Sequence, residues 1–551
     1  MSKKTKQLID TSRMYIQAKK GLGRFFSNNS FVILAFVLPF LIMLLNFAIK
    51  RFAPFGDQQI LVVDLWHQYY PFLVDFQDKI ISGQSLLHSW TNGMGGNYLT
   101  LLSYYVASPI NFLTAFVPAS FLREFLMLSV CVEVGCAGGF TAIFLKKTFH
   151  KNGLPLVFFS VGYGCCAFFM GYYWNVIWLN TVAMLPLVAL GMVMLWRENK
   201  FCLYTISLAL SVIANYYVGL FACIFTFLCF IGYSIMYWNG WKEFFSRLAR
   251  TAIFSVIALM ITAFISLPAF NGLQLTYSTN NSWPDTIRTY YNWSEIMSQS
   301  LDFITPSTKE NLPNIACGMA ALFFGIMFLS ARKVTWRAKA FSIGILAFLV
   351  ASFNVNVLDY VWHGMHFTNM IPHRFAYLFS FVLVVMAYRA YTLIEKARIW
   401  DVLLGFLGSL LLCVISSTIQ TGTVVWGSFL LICILTVATG LYIFKIYPKV
   451  VLDLVVFTLV LVEMFIAGYK GIEAVTSTST ANYPEGEAVT VDVIRAMNNL
   501  ETNTVDMWRA EMTKTQTLND ASLNGYNGIS QFSSMSNVSV TKFLEEFGCQ
   551  G

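Results

Sequence analysis

The chain has 551 residues, of which 57% are hydrophobic and 12% are charged, and its formal net charge is +8. Because an ordinary soluble domain carries roughly a quarter charged residues, this chain has too little polar surface to cover itself in water. The composition excludes a soluble globular protein, and we expect a lipid bilayer, and no nucleic acid, as a partner.

The amino terminus is basic and is followed by an apolar run at residues 31–49. That run is too long for the core of a secretory signal, and no small-residue cleavage site follows it. We therefore expect residues 1–30 to stay in the cytoplasm. The basic residues before the run are Lys3, Lys4, Lys6, Arg13, Lys19, Lys20 and Arg24.

Further apolar segments are long enough to cross a bilayer, which takes about 20 residues. Residues 201–238 and 402–444 each have the length of a helical hairpin. With about thirteen spans inside residues 31–470, the basic connections all return to the cytoplasmic side, as the positive-inside rule requires. The pattern predicts an all-α polytopic membrane protein. These connections are 150–151, 197–200, 242–250, 332–339, 396–398 and 445–449.

Two outer connections are longer than the rest, residues 50–123 and 271–313. Within the first, apolar residues recur at near-helical spacing over 69–81, which predicts a helix along the membrane interface. Residues 98–117 are apolar but interrupted by Ser108-Pro109, which favours a re-entrant or interfacial segment; a true span there would invert every later orientation. We expect functional residues on this outer face.

The last segment, residues 471–551, differs in composition. From residue 476 it is rich in Thr, Ser, Asn, Asp and Glu. By the span count it lies outside, and we expect an incomplete soluble segment, the start of a mixed α/β or β-rich extracytoplasmic domain. A segment this short buries only a modest core.

Two carboxylates, Asp57 and Asp64, come shortly after the first apolar run. A carboxylate near the bilayer surface can act as a general base or bind a divalent cation. The alternative is a pair of solvated loop charges. The sequence does not assign metal ligands, so a divalent cation stays open as a cofactor.

A second cluster of polar residues contains His363, His366, His373 and Arg374. It occupies one outer connection and the start of the next span. A guanidinium there can hold a phosphate bidentately, or it can be a cation that extends to the interface. The spacing of the three histidines fits no strong zinc motif.

Two asparagines, Asn175 and Asn180, follow Trp174 and Trp178 at the outer start of another span. They can line a polar cavity. They can also cap the helix while the tryptophans form part of an aromatic belt.

Several different short segments rich in Tyr, Asn and Pro lie along the chain. They are residues 64–72 (DLWHQYYPF), 103–111 (SYYVASPIN), 173–175 (YWN), 185–187 (LPL), 215–219 (NYYVG), 372–375 (PHRF) and 526–534 (YNGISQFSS). In order and spacing they resemble the bacterial YfhO family over nearly the whole chain. That family is similar to the GT-C membrane glycosyltransferases, which move a sugar from a polyprenyl phosphate to an acceptor outside the membrane, often a teichoic acid in Gram-positive bacteria.

The resemblance implies a GT-C-like fold and a mechanism. Asp64 matches the base that deprotonates the acceptor hydroxyl, with Asp57 as its substitute. Arg374, assisted by His373, would hold the donor phosphate. Asn180 stands where an acidic residue is expected. The implied partners are a polyprenyl-phosphate sugar and a cell-envelope polymer, and the implied cavity residues are His67, Gln68, Tyr69, Asn175, Asn180 and His366.

Two other functions stay open at this point. A transporter or flippase for a lipid-linked sugar would line its pathway with ionisable groups inside spans. Glu133 and Glu463 are the clearest such residues. The second alternative is a non-catalytic scaffold for envelope assembly. The sequence does not identify the sugar or the acceptor.

Overall fold

The computed structural model describes residues 27–276, 282–309, 312–368, 370–420, 422–483, 487–501 and 507–548. Within these ranges, ten helices are long and apolar enough to cross a membrane, which confirms a multi-pass helical protein. They are Ser27–Ile49, Ala119–Phe149, Leu154–Tyr172, Val176–Glu198, Tyr216–Met236, Trp241–Ile261, Trp336–Asn354, Ile399–Ser416, Thr423–Ile443 and Lys449–Val475.

Shorter apolar helices lie between the long ones. Cys202–Ala214, Met319–Met327 and Tyr377–Tyr391 occupy three further positions in the chain, and Ala263–Leu273 directly continues Trp241–Ile261. The expected count of about thirteen spans is higher than the ten long helices, and it stays a prediction.

Asn215 separates two of these helices and shows how the outer ends are built. Its backbone is extended, with φ −161° and ψ 111°, so it ends Cys202–Ala214 and begins Tyr216–Met236. Its side-chain oxygen accepts from the Val218 amide at 3.0 Å, which satisfies a free donor of the new helix. Its amide nitrogen donates to the Tyr104 carbonyl at 3.0 Å, which ties this helix start to the first outer loop.

The first outer loop contains the expected helix, at Tyr70–Ser82, preceded by a turn of π-helix at Leu65–Tyr69. Gly83 ends it in the left-handed conformation, with φ 68°. Only Asp78 of its three charged residues is exposed, whereas an interfacial helix would turn all of them toward water. Asp75 and Lys79 are 3% and 4% exposed and form an ion pair at 3.5 Å, so this helix packs inside the protein.

The expected interruption at Ser108-Pro109 is confirmed. Tyr98–Tyr105 and the 3₁₀ turn Pro109–Phe116 form a helix pair bent by 103°. Ser108 is extended, with ψ 131°, as the residue before proline prefers. The bend is compatible with a broken span or with a re-entrant loop.

Two short antiparallel ladders organise the loop region. Gln58–Gln59 pairs with Thr478–Ser479, and His88–Ser89 pairs with Gly96–Asn97. The first ladder joins the first outer loop directly to the start of the tail. The tail and loop helices are Trp293–Ser298, Asn356–Trp362, Ile394–Lys396, Glu487–Glu501, Asp520–Asn524 and Val538–Glu546.

The tail is more helical than one of the two sequence-based alternatives. In its described residues it contains three helices and one two-residue strand, Thr478–Ser479. The β-rich alternative is therefore wrong for this part of the chain. The hydrophobic pattern of the tail does not reveal its helical character. Its one described strand pairs with the first outer loop and not with another strand of the tail.

Candidate functional site

Asp64 lies at the start of the π-helical turn Leu65–Tyr69, where its carboxylate is half-buried. Gln68, one turn later, donates its side-chain amide to the Asp64 Oδ1 at 2.8 Å. Burial raises the pKa of Asp64, while Gln68 and the nearby His67 and Arg374 pull the pKa in the opposite direction. A carboxylate in this setting is a better proton acceptor than one in water.

Tyr69 connects Asp64 to the next helix. Its hydroxyl lies close to the Asp64 carboxylate and donates to the Asn175 Oδ1 at 2.8 Å. Asn175 is 1% exposed and precedes the helix Val176–Glu198 without making a side-chain cap bond. The capping alternative is therefore wrong for Asn175, since its side-chain oxygen accepts from Tyr69 instead.

Arg374 lies at the end of the connection that leads into the helix Tyr377–Tyr391. Its Nε donates to the Ile371 carbonyl at 3.1 Å and its Nη2 to the Met370 carbonyl at 2.9 Å. Its guanidinium carbon lies 5.1 Å from the ring centre of Trp178 and 5.1 Å from that of Tyr217. The guanidinium is thus held between two aromatic rings inside the protein and does not extend freely to the interface.

The charge on Arg374 is secured by its surroundings. Burial lowers the pKa of this group, but the neighbouring tyrosines, Tyr217, Tyr104 and Tyr69 among them, more than offset it, so the pKa is raised overall. Arg374 and Asp64 are close enough for the cation to lower the pKa of the carboxyl group. The site therefore combines one proton acceptor with one fixed cation.

Tyr105 closes the site on the side of the tail. Its hydroxyl donates to the Gln68 Oε1 at 2.6 Å and accepts from the Ser534 backbone amide at 2.8 Å. One chain of hydrogen bonds therefore runs from the tail through Tyr105 and Gln68 to Asp64. Sequence analysis quoted this tyrosine as part of a motif but did not assign it to the site. The Tyr-Tyr pairs 104–105 and 216–217 gave only a weak signal, because tyrosines at helix ends are equally typical of an aromatic belt.

Asp57 is not part of this cluster. Its side chain is 60% exposed and pairs with Arg51 at 3.4 Å. The alternative reading of a solvated loop charge fits this residue. His67 lies nearer to the site: burial lowers the pKa of its imidazole, Asp64 acts in the opposite direction, and its carbonyl accepts from Asn519 Nδ2 at 2.6 Å.

His373 follows a different course from its neighbour Arg374. Its imidazole is 0% exposed and packs 5.7 Å from the rings of Tyr291 and of Phe353. Burial lowers the pKa of His373 to about 4, so it is neutral at physiological pH. A neutral imidazole does not supply a second positive charge for a phosphate. His373 and Arg374 have different neighbours because adjacent side chains in this turn point to different sides.

The remaining predicted cavity residues are less directly placed. His366 is partly buried with its ring 5.8 Å from that of Tyr217, and burial, with the nearby His363, lowers its pKa to about 4. Asn180 is partly exposed on the helix Val176–Glu198.

The described carboxylates and histidines do not gather into a metal-ligand cluster: no three His, Cys, Asp or Glu side chains come together in a way that could hold a metal ion. A divalent cation stays open as a cofactor, because Mg²⁺ is commonly held by one or two carboxylates together with substrate phosphates.

The two clearest acidic residues inside spans are buried. Glu133 is 4% exposed, and Glu463 is 2% exposed. Glu463 and Asp302 both accept from the Met319 backbone amide, at 3.1 and 3.2 Å. This pair caps the start of the helix Met319–Met327, a role that stabilises negative charge.

These features define a class of protein: a multi-pass helical membrane protein whose loops and tail enclose a carboxylate–guanidinium site. The sequence profile of the family described as bacterial membrane protein YfhO matches residues 35–551, and the chain belongs to this family. A comparison with curated proteins found no match.

Two proteins of known structure have a similar course of the chain. ArnT from Cupriavidus metallidurans bound to undecaprenyl phosphate is 10% identical, with a TM-score of 0.45 over 94% of this chain and 89% of that one. The arabinofuranosyltransferase AftD from Mycobacteria is 13% identical, with a TM-score of 0.44 over 73% of this chain and 27% of that one.

Proposed function

We propose that the protein is a membrane glycosyltransferase that moves a sugar from a polyprenyl-phosphate carrier to an extracytoplasmic cell-envelope acceptor such as teichoic acid. The observation that carries this proposal is that Asp64, a half-buried carboxylate, and Arg374, a fixed cation, lie beside the start of one helix. Tyr69, whose hydroxyl is close to Asp64, donates to Asn175, and the Arg374 guanidinium lies 5.1 Å from the Trp178 ring. The reaction class itself comes from the family resemblance of the sequence.

The chemistry assigned to the two groups balances as a direct displacement. The acceptor hydroxyl oxygen forms a bond to the anomeric carbon of the donor sugar, while Asp64 takes the hydroxyl proton. The bond between that carbon and the lipid phosphate oxygen breaks, and the phosphate leaves with the bonding electrons. Arg374, already fixed by two carbonyls and two rings, stabilises the charge that develops on the phosphate.

The test is the replacement of Asp64 by Asn. The amide keeps the size of the side chain but does not accept the proton, so we expect the rate of sugar transfer to fall about 100-fold or more. Donor binding should survive, because Arg374 is unchanged. The assay is transfer from a polyprenyl-phosphate sugar in membranes that contain each variant at equal abundance.

Asp57→Asn is the matched control. Asp57 is exposed and lies outside the cluster, so its replacement should leave transfer within about twofold of the wild type. Near-normal transfer by Asp64→Asn would remove the base from the mechanism. Loss of transfer with Asp57→Asn alone would assign the role of the base to Asp57.

A further inference from the structure

A cavity of about 120 Å³ lies between the first outer loop and the tail. One wall consists of residues 92–97, which we call the glycine turn, and of the helix Tyr98–Tyr105. The opposite wall is formed by tail residues between 529 and 544. The cavity adjoins the Asp64–Arg374 site, because the same helix carries Tyr105, whose hydroxyl contacts the tail at Ser534.

The walls of the cavity are polar but uncharged. None of the described residues that line it is Lys, Arg, Asp, Glu or His. Its polar groups are amides and hydroxyls, among them Asn92, Gln531 and Ser536. Such walls offer hydrogen bonds to a neutral ligand and no counter-charge to an ion.

Two polar atoms of the cavity lining are buried and lack a partner. Asn92 is 3% exposed, and its oxygen accepts from the Ser522 hydroxyl at 2.9 Å, but its Nδ2 donates to no described group. The Ser536 hydroxyl is likewise buried and unpaired. A buried donor without an acceptor destabilises the fold. Each group would gain a partner from a ligand hydroxyl in the cavity once its side chain turns toward the ligand.

The rest of the lining is apolar. Leu101, Leu275 and Leu544 contribute side chains to it. A sugar ring presents hydroxyl groups at its edge and C–H groups on its faces, so it matches a cavity with both kinds of wall. The volume of about 120 Å³ is small beside the ~300–1,000 Å³ of a pocket for a whole drug-sized ligand. It is suited to one unit of a longer molecule.

We propose that this cavity is an acceptor subsite that holds one uncharged, hydroxyl-rich sugar unit of the acceptor. The identity of the ligand as an acceptor rests on the proposed glycosyltransferase function. The position of the cavity suits this role, since the helix Tyr98–Tyr105 that lines it also carries Tyr105, which is hydrogen-bonded through Gln68 to Asp64. A unit bound there would anchor the acceptor chain while another unit reaches the base.

Gly96 offers a way to fill the cavity. A side-chain carbon added at this position would meet only the Asn92 carbonyl, at 3.7 Å, whereas at Gly95 it would lie 2.6 Å from the Trp90 ring. Gly96→Leu should therefore place its side chain in free space without displacing the turn. Asn92→Asp is a second, isosteric change that keeps the oxygen for Ser522 and removes the unpaired donor.

The experiment measures direct binding by saturation-transfer NMR, with the full chain in lipid nanodiscs free of sugar-bearing detergent. All variants carry Asp64→Asn, so that no turnover occurs. The probes are glucose, N-acetylglucosamine and glucose 1-phosphate. We expect saturable binding of at least one neutral sugar, about tenfold tighter than that of glucose 1-phosphate. Binding should weaken at least tenfold with Gly96→Leu and with Asn92→Asp.

Gly344→Leu is the control, because a side chain added at Gly344 also meets nothing within 4 Å but lies on the helix Trp336–Asn354. It should leave binding unchanged. The proposal is overturned if no neutral sugar binds, if glucose 1-phosphate binds better, if octanol alone competes for the cavity, or if both cavity variants bind normally. Transfer by the wild type without sugar binding would reject only the subsite, whereas binding without any transfer would reject the glycosyltransferase function.

Discussion

Gln68 is the residue that sets the protonation of the proposed base. It donates to Asp64 at 2.8 Å and accepts from Tyr105 at 2.6 Å, so its amide is held in one orientation. Burial raises the pKa of Asp64, and the bond from Gln68 is the largest effect that lowers it. Because the base acts in its deprotonated form, the transfer rate should rise as the pH passes upward through this pKa.

Gln68→Leu removes that donor while it keeps most of the volume of the side chain. We expect the acid limb of the pH–rate profile to move to higher pH, because the carboxylate loses a hydrogen bond that favours its charged form. The measurement is transfer at saturating donor and acceptor between pH 4.5 and 8. An acid limb that stays in place, or moves to lower pH, would contradict the role of Gln68.

Arg374 allows a test of the donor phosphate. Lys keeps the positive charge but has neither the planar fork nor the geometry to bond both the Ile371 and the Met370 carbonyls. We expect Arg374→Lys to raise the KM for the polyprenyl-phosphate sugar about tenfold or more and to lower kcat. The measurement is initial rate against donor concentration at fixed acceptor.

Arg389→Lys is the matched control. Arg389 also lies over an aromatic ring, 5.5 Å from the centre of Phe149, but in the last turn of Tyr377–Tyr391, the helix that follows Arg374. Its replacement should leave the KM for the donor unchanged. An unchanged KM in Arg374→Lys would remove this residue from the donor site.

At the scale of elements, the tail is joined to the first outer loop by side chains that bond backbone groups. Trp66 donates to the Gln516 carbonyl at 3.0 Å, and Arg509 donates to the Met94 and Gly528 carbonyls at 2.8 and 2.7 Å. Asn519 donates to the His67 carbonyl and exchanges two bonds with the Phe532 backbone. The tail is therefore a wall of the site and not a separate appendage.

Asn519→Ala should loosen this wall. It removes three hydrogen bonds and leaves partly buried partners unpaired, at a cost of about 1–3 kcal/mol for each such group. We expect faster cleavage of residues 507–548 in limited proteolysis and about tenfold slower transfer. Thr515→Ala, at an exposed position of the same segment, is the control and should change neither. Unchanged proteolysis and transfer in Asn519→Ala would show that the tail does not depend on this residue.

At the scale of the whole molecule, the sequence predicted charged site residues better than uncharged ones. Asp64 and Arg374 stand out because ionic groups at the outer ends of apolar segments need a reason to be there. Tyr104 and Tyr217 do not, because a tyrosine at such a position is equally typical of an aromatic belt. His373 packs against Tyr291 and Phe353 and not against the rings that hold Arg374, and its assisting role stays a prediction.

The contacts between distant parts of the chain were also beyond the sequence. A two-residue ladder such as that between Gln58–Gln59 and Thr478–Ser479 leaves no periodic signal, because a strand needs several alternating residues to be recognised. The burial of the ion pair between Asp75 and Lys79 was hidden for a related reason. Hydrophobic periodicity reveals a helix but not which neighbours cover its polar face.

That ladder nevertheless constrains the topology. Because Gln58–Gln59 and Thr478–Ser479 are paired, both lie on one side of the membrane, and the chain crosses an even number of times between them. Of the ten long helices, the first precedes residue 58, which leaves nine, an odd number. Therefore either one of the nine helices does not cross, or at least one further apolar segment does. If Cys202–Ala214, Met319–Met327 and Tyr377–Tyr391 do so, the total is the expected thirteen.

Labelling of single cysteines separates thirteen crossings from eleven, the number obtained if the bent pair at 98–116 is the only addition. Cysteines introduced at Asp57 and at Thr515 should be labelled from outside in either case, since each position is exposed next to the paired region. With thirteen crossings, Lys200 and Lys333 lie on the opposite side of the membrane. Cysteines introduced there should be protected from the label in intact cells and become labelled once the membrane is permeabilised. With eleven, both face outward. Labelling of Lys200 and Lys333 in intact cells would therefore reject the thirteen-span topology and place the basic connections outside, against the positive-inside rule.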